Sequence, residues 1–299
     1  MEEPFKTYTV RECPYKMIYV NLTSRCNMNC NFCYMEGREE DDMKLEYFEE
    51  VCKQLPHSVV FRIAGGEPTI HPQFFDFIRI AKKYHHLPTI VSNGKKYLDK
   101  DFIKEAKDAG SGIAWCITLN GGWTNPEAYK FIDNEDCLEW KTQALNNLLE
   151  ANIKRIALSS IVVKGLNEHV IGEFVNFAEK HRKNIRYLKF RAAGNIGRHI
   201  KSSPYTVQNF LNELFPVYFD LEKSKVVYTT NEPKLVEICK NRMCCHHFTY
   251  DKFLLVSFVD FATLNSALCW KRGKLDENFN TKSFFGEMSE YAKNKEVLV

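Results

Sequence analysis

The chain has no run of about 20 apolar residues, the length that a membrane-spanning helix needs. Its opening residues, MEEPFKTYTV, lack the basic and apolar regions of a secretory signal. Net charge is also scarce: 41 Lys and Arg against 38 Asp and Glu leave +3. The basic residues are scattered among acidic ones, so neither nucleic acid nor a membrane surface is an expected partner. There is no low-complexity segment and no repeat beyond a strand–helix unit, which excludes a disordered linker protein and a solenoid. At 299 residues the chain can bury one large core or two smaller ones.

What the chain does have is eleven cysteines. Without a secretory signal they belong to a reducing compartment, as ligands, buried thiols or catalytic groups rather than disulfides. This predicts a cytoplasmic, oxygen-sensitive protein. Three of them, Cys26, Cys30 and Cys33, lie in CNMNCNFCY, just after the apolar run Met17 to Leu22. Three thiolates are one fewer than a closed tetrahedral site or a fully ligated iron–sulfur cluster requires. The missing ligand suits a metal that binds its substrate directly. A zinc loop would need a fourth ligand, and none lies within the loop; three neighbouring buried thiols are the plain alternative. Gly65-Gly66-Glu67-Pro68 follows a second strand-like run, Ser58 to Ala64. Its glycines read as backbone that approaches a ligand closely or takes positive φ, or as a tight strand-to-helix turn with Pro68 near the first helical turn.

Short β-branched runs near 17–23, 58–64, 89–92, 112–119, 154–163 and 185–191 predict strands. Amphipathic stretches near 44–55, 73–85, 99–109, 137–151, 168–181 and 205–215 predict helices between and after them. This alternation predicts an α/β fold, a partial (β/α)6 barrel with a parallel sheet and right-handed crossovers. The expected organisation is a lead-in over 1–16, the barrel over 17–216 and a C-terminal extension over 217–299. In the extension, Val226 to Thr230 and Phe253 to Val259 read as isolated strands. Ligands gather at the carboxyl ends of parallel strands. There the chain places the cysteine loop, the GGEP turn, Ser92-Asn93-Gly94 and Thr118-Leu119-Asn120-Gly121. The spacing of Phe74, Phe75, Phe77 and Ile78 reads as core packing, and His71, His85 and His86 as surface or capping residues.

The cysteine loop and GGEP, at this spacing, resemble the radical S-adenosylmethionine (SAM) superfamily over roughly residues 15–200. The resemblance implies a [4Fe–4S] cluster on Cys26, Cys30 and Cys33 whose open iron chelates SAM. It also implies an electron donor such as flavodoxin or ferredoxin, and reductive cleavage of SAM to a 5′-deoxyadenosyl radical that abstracts a substrate hydrogen atom. Cofactor contacts are then implied for Tyr34 along adenine and for Gly65, Gly66 and Glu67 at the amino group. Ser92 and Asn93 resemble the family's Ser/Thr-Asn-Gly at the end of the third strand. Thr118 and Asn120 resemble its Ser-Leu-Asp-Gly at the end of the fourth, where hydroxyls reach the ribose or methionine carboxylate; a plain turn is the alternative there. Many relatives carry an arginine for the SAM carboxylate shortly after the fourth strand. Here Asp133 occupies that stretch, and Lys130 or Ser159 are the replacements. The adenine contact after the sixth strand falls near Ala192 and Gly194.

Within the superfamily, Trp140 to Leu166 followed by Asn167-Glu168-His169 resembles the branch of molybdenum-cofactor cyclases, sulfatase-maturing and peptide-modifying enzymes. A peptide or protein substrate is the expectation, modified by epimerisation, thioether or carbon–carbon bond formation. No leader-binding domain is expected in the sixteen or so residues before the first strand, which counts against a leader-dependent peptide enzyme unless a separate protein binds the leader. A small molecule, cofactor or lipid precursor is the alternative substrate, and a non-catalytic iron–sulfur or SAM-binding scaffold is the alternative from another class. For the C-terminal cysteines three readings stay open. Cys239, Cys244 and Cys245 hold a second iron–sulfur cluster; or Cys269 or Cys116 is a catalytic hydrogen-atom donor; or all are buried thiols.

Overall fold

A computed structural model describes residues 7–35, 42–193, 198, 205–228, 245–259, 272–275 and 278–283. β1 (Tyr8–Thr9) and β2 (Met17–Thr23) lead into α1 (Leu45–Gln54). β3 (Val60–Gly65), α2 (Phe74–Lys83), β4 (Leu87–Ser92), α3 (Lys100–Asp108) and β5 (Ala114–Thr118) follow. Next come α4 (Pro126–Asp133), α5 (Leu138–Glu150), β6 (Ile156–Val162), α6 (Val170–Lys180) and β7 (Ile185–Ala192). The last described elements are α7 (Val207–Asn209), a π-helical turn (Phe210–Leu214), α8 (Phe215–Tyr218), β8 (Ser224–Val226), β9 (Cys245–Tyr250), β10 (Leu254–Val259), β11 (Arg272–Leu275) and β12 (Asn280–Ser283).

All six expected strands form, and five of the six expected helices are continuous. The sixth, expected over 205–215, is broken by a π turn just before Pro216, which has no N–H to give to the preceding turn. α4 was not expected, because eight residues show little periodicity. Its ends were nevertheless marked: the Asn125 side chain accepts from Ala128 N at 2.9 Å, Pro126 starts the helix, and Asn134 closes it with φ 58°.

The C-terminal strands are not isolated. The sheet runs β1-β12-β11-β2-β3-β4-β5-β6-β7-β10-β9-β8. From β11 to β10 each neighbour is parallel to the next, so the C-terminal segment adds one parallel strand at either flank of the six. Antiparallel pairs then cap both flanks, β11 with β12 and β10 with β9. The segment was misread because its pairing partners lie far away in sequence, where periodicity carries no information. The architecture is still an open, partial barrel.

One face of the sheet meets the helices. Ile18, Val20, Phe61, Ile63, Ile90, Ile117, Leu158, Leu188, Phe190, Val256 and Phe258 are all fully buried there. The alternate positions, including Tyr19, Arg62, Cys116, Ser159 and Arg191, face the barrel lumen. The Phe74, Phe75, Phe77 and Ile78 stripe packs in the core as expected. Two histidines are not at the surface: His86 takes the N–H of Val59 at Nδ1 (3.3 Å) and lies 3.1 Å from Cys52 O through Nε2, and His71 Nδ1 accepts from Gln73 N at 3.1 Å. Both satisfy backbone groups at loop ends, which is a capping role.

Candidate active site

The cysteine loop leaves the carboxyl end of β2, and the GGEP turn is pressed against its first residues. Gly66 N donates to Thr23 O and Glu67 N to Arg25 O, each at 2.8 Å. A Cβ on Gly66 would lie 2.0 Å from Arg25 O and 2.5 Å from Ser24 O, and one on Gly65, at φ +122°, 2.4 Å from Thr23 O. The close approach that requires these glycines is therefore to the chain itself.

Glu67 is 1% exposed, and its carboxylate is held by four donors from this chain. Oε1 accepts from Thr69 N (3.2 Å), Thr69 Oγ1 (2.6 Å) and Ser92 Oγ (2.8 Å), and Oε2 from Asn93 N (2.7 Å). Burial pushes its pKa up, and these hydrogen bonds work against the rise. Asn93 reaches on to the cysteine loop, its Nδ2 donating to Asn27 Oδ1 at 2.7 Å. The three motifs thus form one hydrogen-bonded unit, with Glu67 as the bolt between β3 and β4. Tyr34, at the end of the loop, donates from its hydroxyl to Gly65 O at 3.3 Å. Arg198 fastens the other side of the loop: its N donates to Cys33 O at 3.0 Å, and its guanidinium meets Asn29.

Cys26, Cys30 and Cys33 are all partly buried, and Cys26 and Cys30 pack against an apolar cluster of Met28, Tyr129 and Cys137. Burial drives the Cys30 thiol well above its ordinary range, and neighbouring Asp133 adds to this. Among the described residues, no three His, Cys, Asp or Glu side chains are already drawn together as metal ligands. The donor set nonetheless suits a soft iron site: three thiols on one anchored loop, shielded by apolar neighbours, that close as the metal binds.

The fourth-strand motif is used differently from the expectation. Asn120 is buried, with Nδ2 donating to Asp133 Oδ1 (2.9 Å) and Oδ1 accepting from Ile161 N (2.9 Å). Its carbonyl accepts from Asn167 Nδ2 at 2.7 Å. Thr118 is paired in register with Ser159, and both face the lumen. Lys130 does not replace the missing arginine: it is exposed and meets Glu127 one turn back at 2.8 Å. The cation beside Asp133 is instead Lys141, 1% exposed, with Nζ 3.3 Å from Oδ2. Nothing in the sequence marks Lys141, because a lysine in a helix is ordinarily solvated.

This buried pair makes a specific prediction. Lys141→Met strands the Asp133 charge, which costs about 3–5 kcal/mol. Lys130→Ala removes only a surface pair, which costs at most about 1 kcal/mol. Urea unfolding midpoints of the two variants check this, and equal losses would show that the Lys141 pair is not worth more than the exposed one.

Cys116 lies in the lumen wall of β5 at 1% exposure, with Arg191 in electrostatic reach. Ala192 ends β7 and is buried. Cys245 is partly buried at the start of β9. Gly194, Cys239, Cys244 and Cys269 lie outside the described residues.

Comparison with known proteins gives this geometry a context. The family model described as "Radical SAM superfamily" matches residues 20–178, just over half of the chain. A 7,8-dihydro-6-hydroxymethylpterin dimethyltransferase of Methanocaldococcus jannaschii is 23% identical over 60% of this chain and 36% of its own. A GTP 3′,8-cyclase of Clostridium botulinum is 24% identical over 72% of this chain and 70% of its own. Among solved structures, Streptococcus suis SuiB bound to precursor peptide SuiA superimposes with a TM-score of 0.60 at 12% identity. That match covers 87% of this chain and 57% of SuiB. The chain therefore spans about a third of the first relative and little more than half of the structural neighbour.

Proposed function

The chain belongs to the radical SAM superfamily, and on that premise we propose that it is an enzyme that takes a hydrogen atom from a substrate held in the barrel lumen. When bound, a [4Fe–4S] cluster and SAM supply a one-electron cleavage that yields a 5′-deoxyadenosyl radical, and the protein's task is binding and orientation. Cys26, Cys30 and Cys33 hold the cluster. The GGEP backbone, Tyr34, Ser92 and Asn93 shape the SAM site at the carboxyl edge of β2 to β4. Glu67 acts there by holding the two loops together, since its oxygens already accept from Thr69, Ser92 and Asn93. Thr118 and Ser159 carry hydroxyls into the lumen below, whereas Ala192, in phase with Leu188 and Phe190, packs in the core on the helix side of β7. A flavodoxin or ferredoxin is the expected electron donor, in a reducing, oxygen-poor cytoplasm.

The observation that carries this reading is the single hydrogen-bonded unit of cysteine loop, GGEP turn and Ser92-Asn93 above a polar lumen. For the substrate, a small molecule is the better supported class, because both relatives named above act on one by name: a pterin and GTP. A peptide or protein remains the second reading, supported by the openness of the sheet, which is uncapped by direct pairing between β11 and β10. The test is anaerobic: protein reconstituted with iron and sulfide, SAM and dithionite is expected to release 5′-deoxyadenosine and methionine. A reconstituted protein that binds SAM and releases neither is a scaffold, and the enzyme reading falls.

A further inference from the structure

The lumen wall has an unbalanced charge. Strands β2 to β7 and β10 contain no Asp and no Glu. On their lumen-facing positions they carry Arg62 of β3 and Arg191 of β7, with Lys189 one pleat below Arg191. Among the described loop residues, two buried carboxylates at the strand ends are committed elsewhere, Glu67 to Thr69, Ser92 and Asn93, and Asp133 to Lys141 and Asn120.

Arg62 and Arg191 lie near enough to sense each other. Arg191 has its pKa pushed down chiefly by burial, with Arg62 adding to the fall and Cys116, Tyr19 and Tyr34 opposing it. Arg62 lies over the Tyr19 ring, its guanidinium carbon 5.6 Å from the centroid. The Nε atoms of both arginines are buried and have no hydrogen-bond partner. Two half-buried guanidiniums facing one lumen, with unmet donors and no counter-charge among the described residues, are a costly arrangement in an empty chamber. An arginine fork matches the oxygens of a carboxylate or phosphate, and a bound anion relieves both the repulsion and the unmet donors.

We propose that Arg62 and Arg191 form the recognition site for an oxyanion, phosphate or carboxylate, carried by the substrate. This rests on the reading of the lumen as the substrate chamber. It narrows the substrate to an anionic molecule that enters far enough to pass between β3 and β7. SAM carries a carboxylate of its own, so the experiment separates the two sources.

Anaerobically reconstituted protein is titrated calorimetrically with inorganic pyrophosphate, with succinate and, separately, with SAM. At least one of the two anions is expected to bind the wild type. Its affinity is expected to fall about tenfold or more in Arg62→Gln and in Arg191→Gln, the loss of one charge-assisted contact, while SAM affinity changes less than about twofold. Pyrophosphate binding alone identifies a phosphate group and succinate binding alone a carboxylate. Failure of both anions to bind, or equal binding by the variants, overturns the proposal. Loss of SAM binding in the variants also overturns it, by assigning the arginines to the SAM carboxylate. If a variant does not fold, phenylglyoxal labelling of the wild type decides: the bound anion must protect Arg62 and Arg191, and unchanged labelling counts against the site. None of these readouts needs turnover, so a failure here is distinct from a failure of SAM cleavage.

Discussion

Replacing Cys26, Cys30 and Cys33 together by alanine is expected to lower 5′-deoxyadenosine formation more than about a hundredfold, since even second-shell changes at a metal site cost 10- to 100-fold. The reason is chemical as well as geometric. The thiolate is the iron ligand, and the described part of the loop holds no other thiol; the neutral thioethers of Met28 and Met35 do not supply its negative charge. Cys137 shares the apolar cluster with Cys26 and Cys30 but lies at the start of α5, with its Sγ 3.3 Å from Glu135 O. Cys52→Ala is the control, because Cys52 is a core thiol on the buried face of α1. It should keep both iron and activity. Iron counted on the triple variant has a second use. Retention of about four irons per chain assigns a further cluster to Cys239, Cys244 and Cys245, and loss of all iron leaves one cluster in the protein. Turnover by the triple variant at the wild-type rate would remove these cysteines from the cluster altogether.

Gly66→Ala is expected to damage stability and the cysteine loop together. The new methyl would sit 2.0 Å from Arg25 O and 2.5 Å from Ser24 O, both backbone atoms that cannot rotate away. Relief requires moving the turn off the loop and breaking the bonds from Gly66 N to Thr23 O and from Glu67 N to Arg25 O. The cost is at or beyond the upper end of ordinary overpacking, about 3 kcal/mol. The same movement pulls Asn93 from Asn27, so iron loading should fall with stability. Gly112→Ala is the comparison: at φ +92°, with nothing within 4 Å of the new Cβ, it bears only left-handed backbone strain of about 1–2 kcal/mol. Denaturant midpoints and iron content of the two variants, measured side by side, check the difference. Equal stability and full iron in Gly66→Ala would mean that the turn and loop are not locked together.

Much of the fold was legible because its signals are local. The strand–helix alternation from β2 to β7 follows from periodicities of two and 3.6 residues, which any window of the chain displays. The motifs at the strand ends were legible for the same reason: the cysteines, the glycines and Ser92-Asn93 each lie within a few residues. α4 was overlooked even though Asn125, Pro126 and Asn134 marked its limits. β9, β11 and β12 were not legible, since a strand added to the flank of a sheet is defined by a partner far away in the chain. The lumen was half legible. Arg62 and Arg191 alternate with buried Phe61, Ile63 and Phe190, a pattern that a sheet apolar on both faces would not show.

By itself the sequence determined the α/β alternation, the three-thiol loop and the order in which ligand-binding turns follow their strands. These depend on covalent neighbours, whose separation is set by the chain. Only the tertiary structure decided that Glu67 is held by Ser92 and Asn93, that Lys141 rather than Lys130 meets Asp133, and that Arg62 and Arg191 share one chamber. Which charges and donors become partners depends on which are withdrawn from water together, and that is a property of the folded sheet alone.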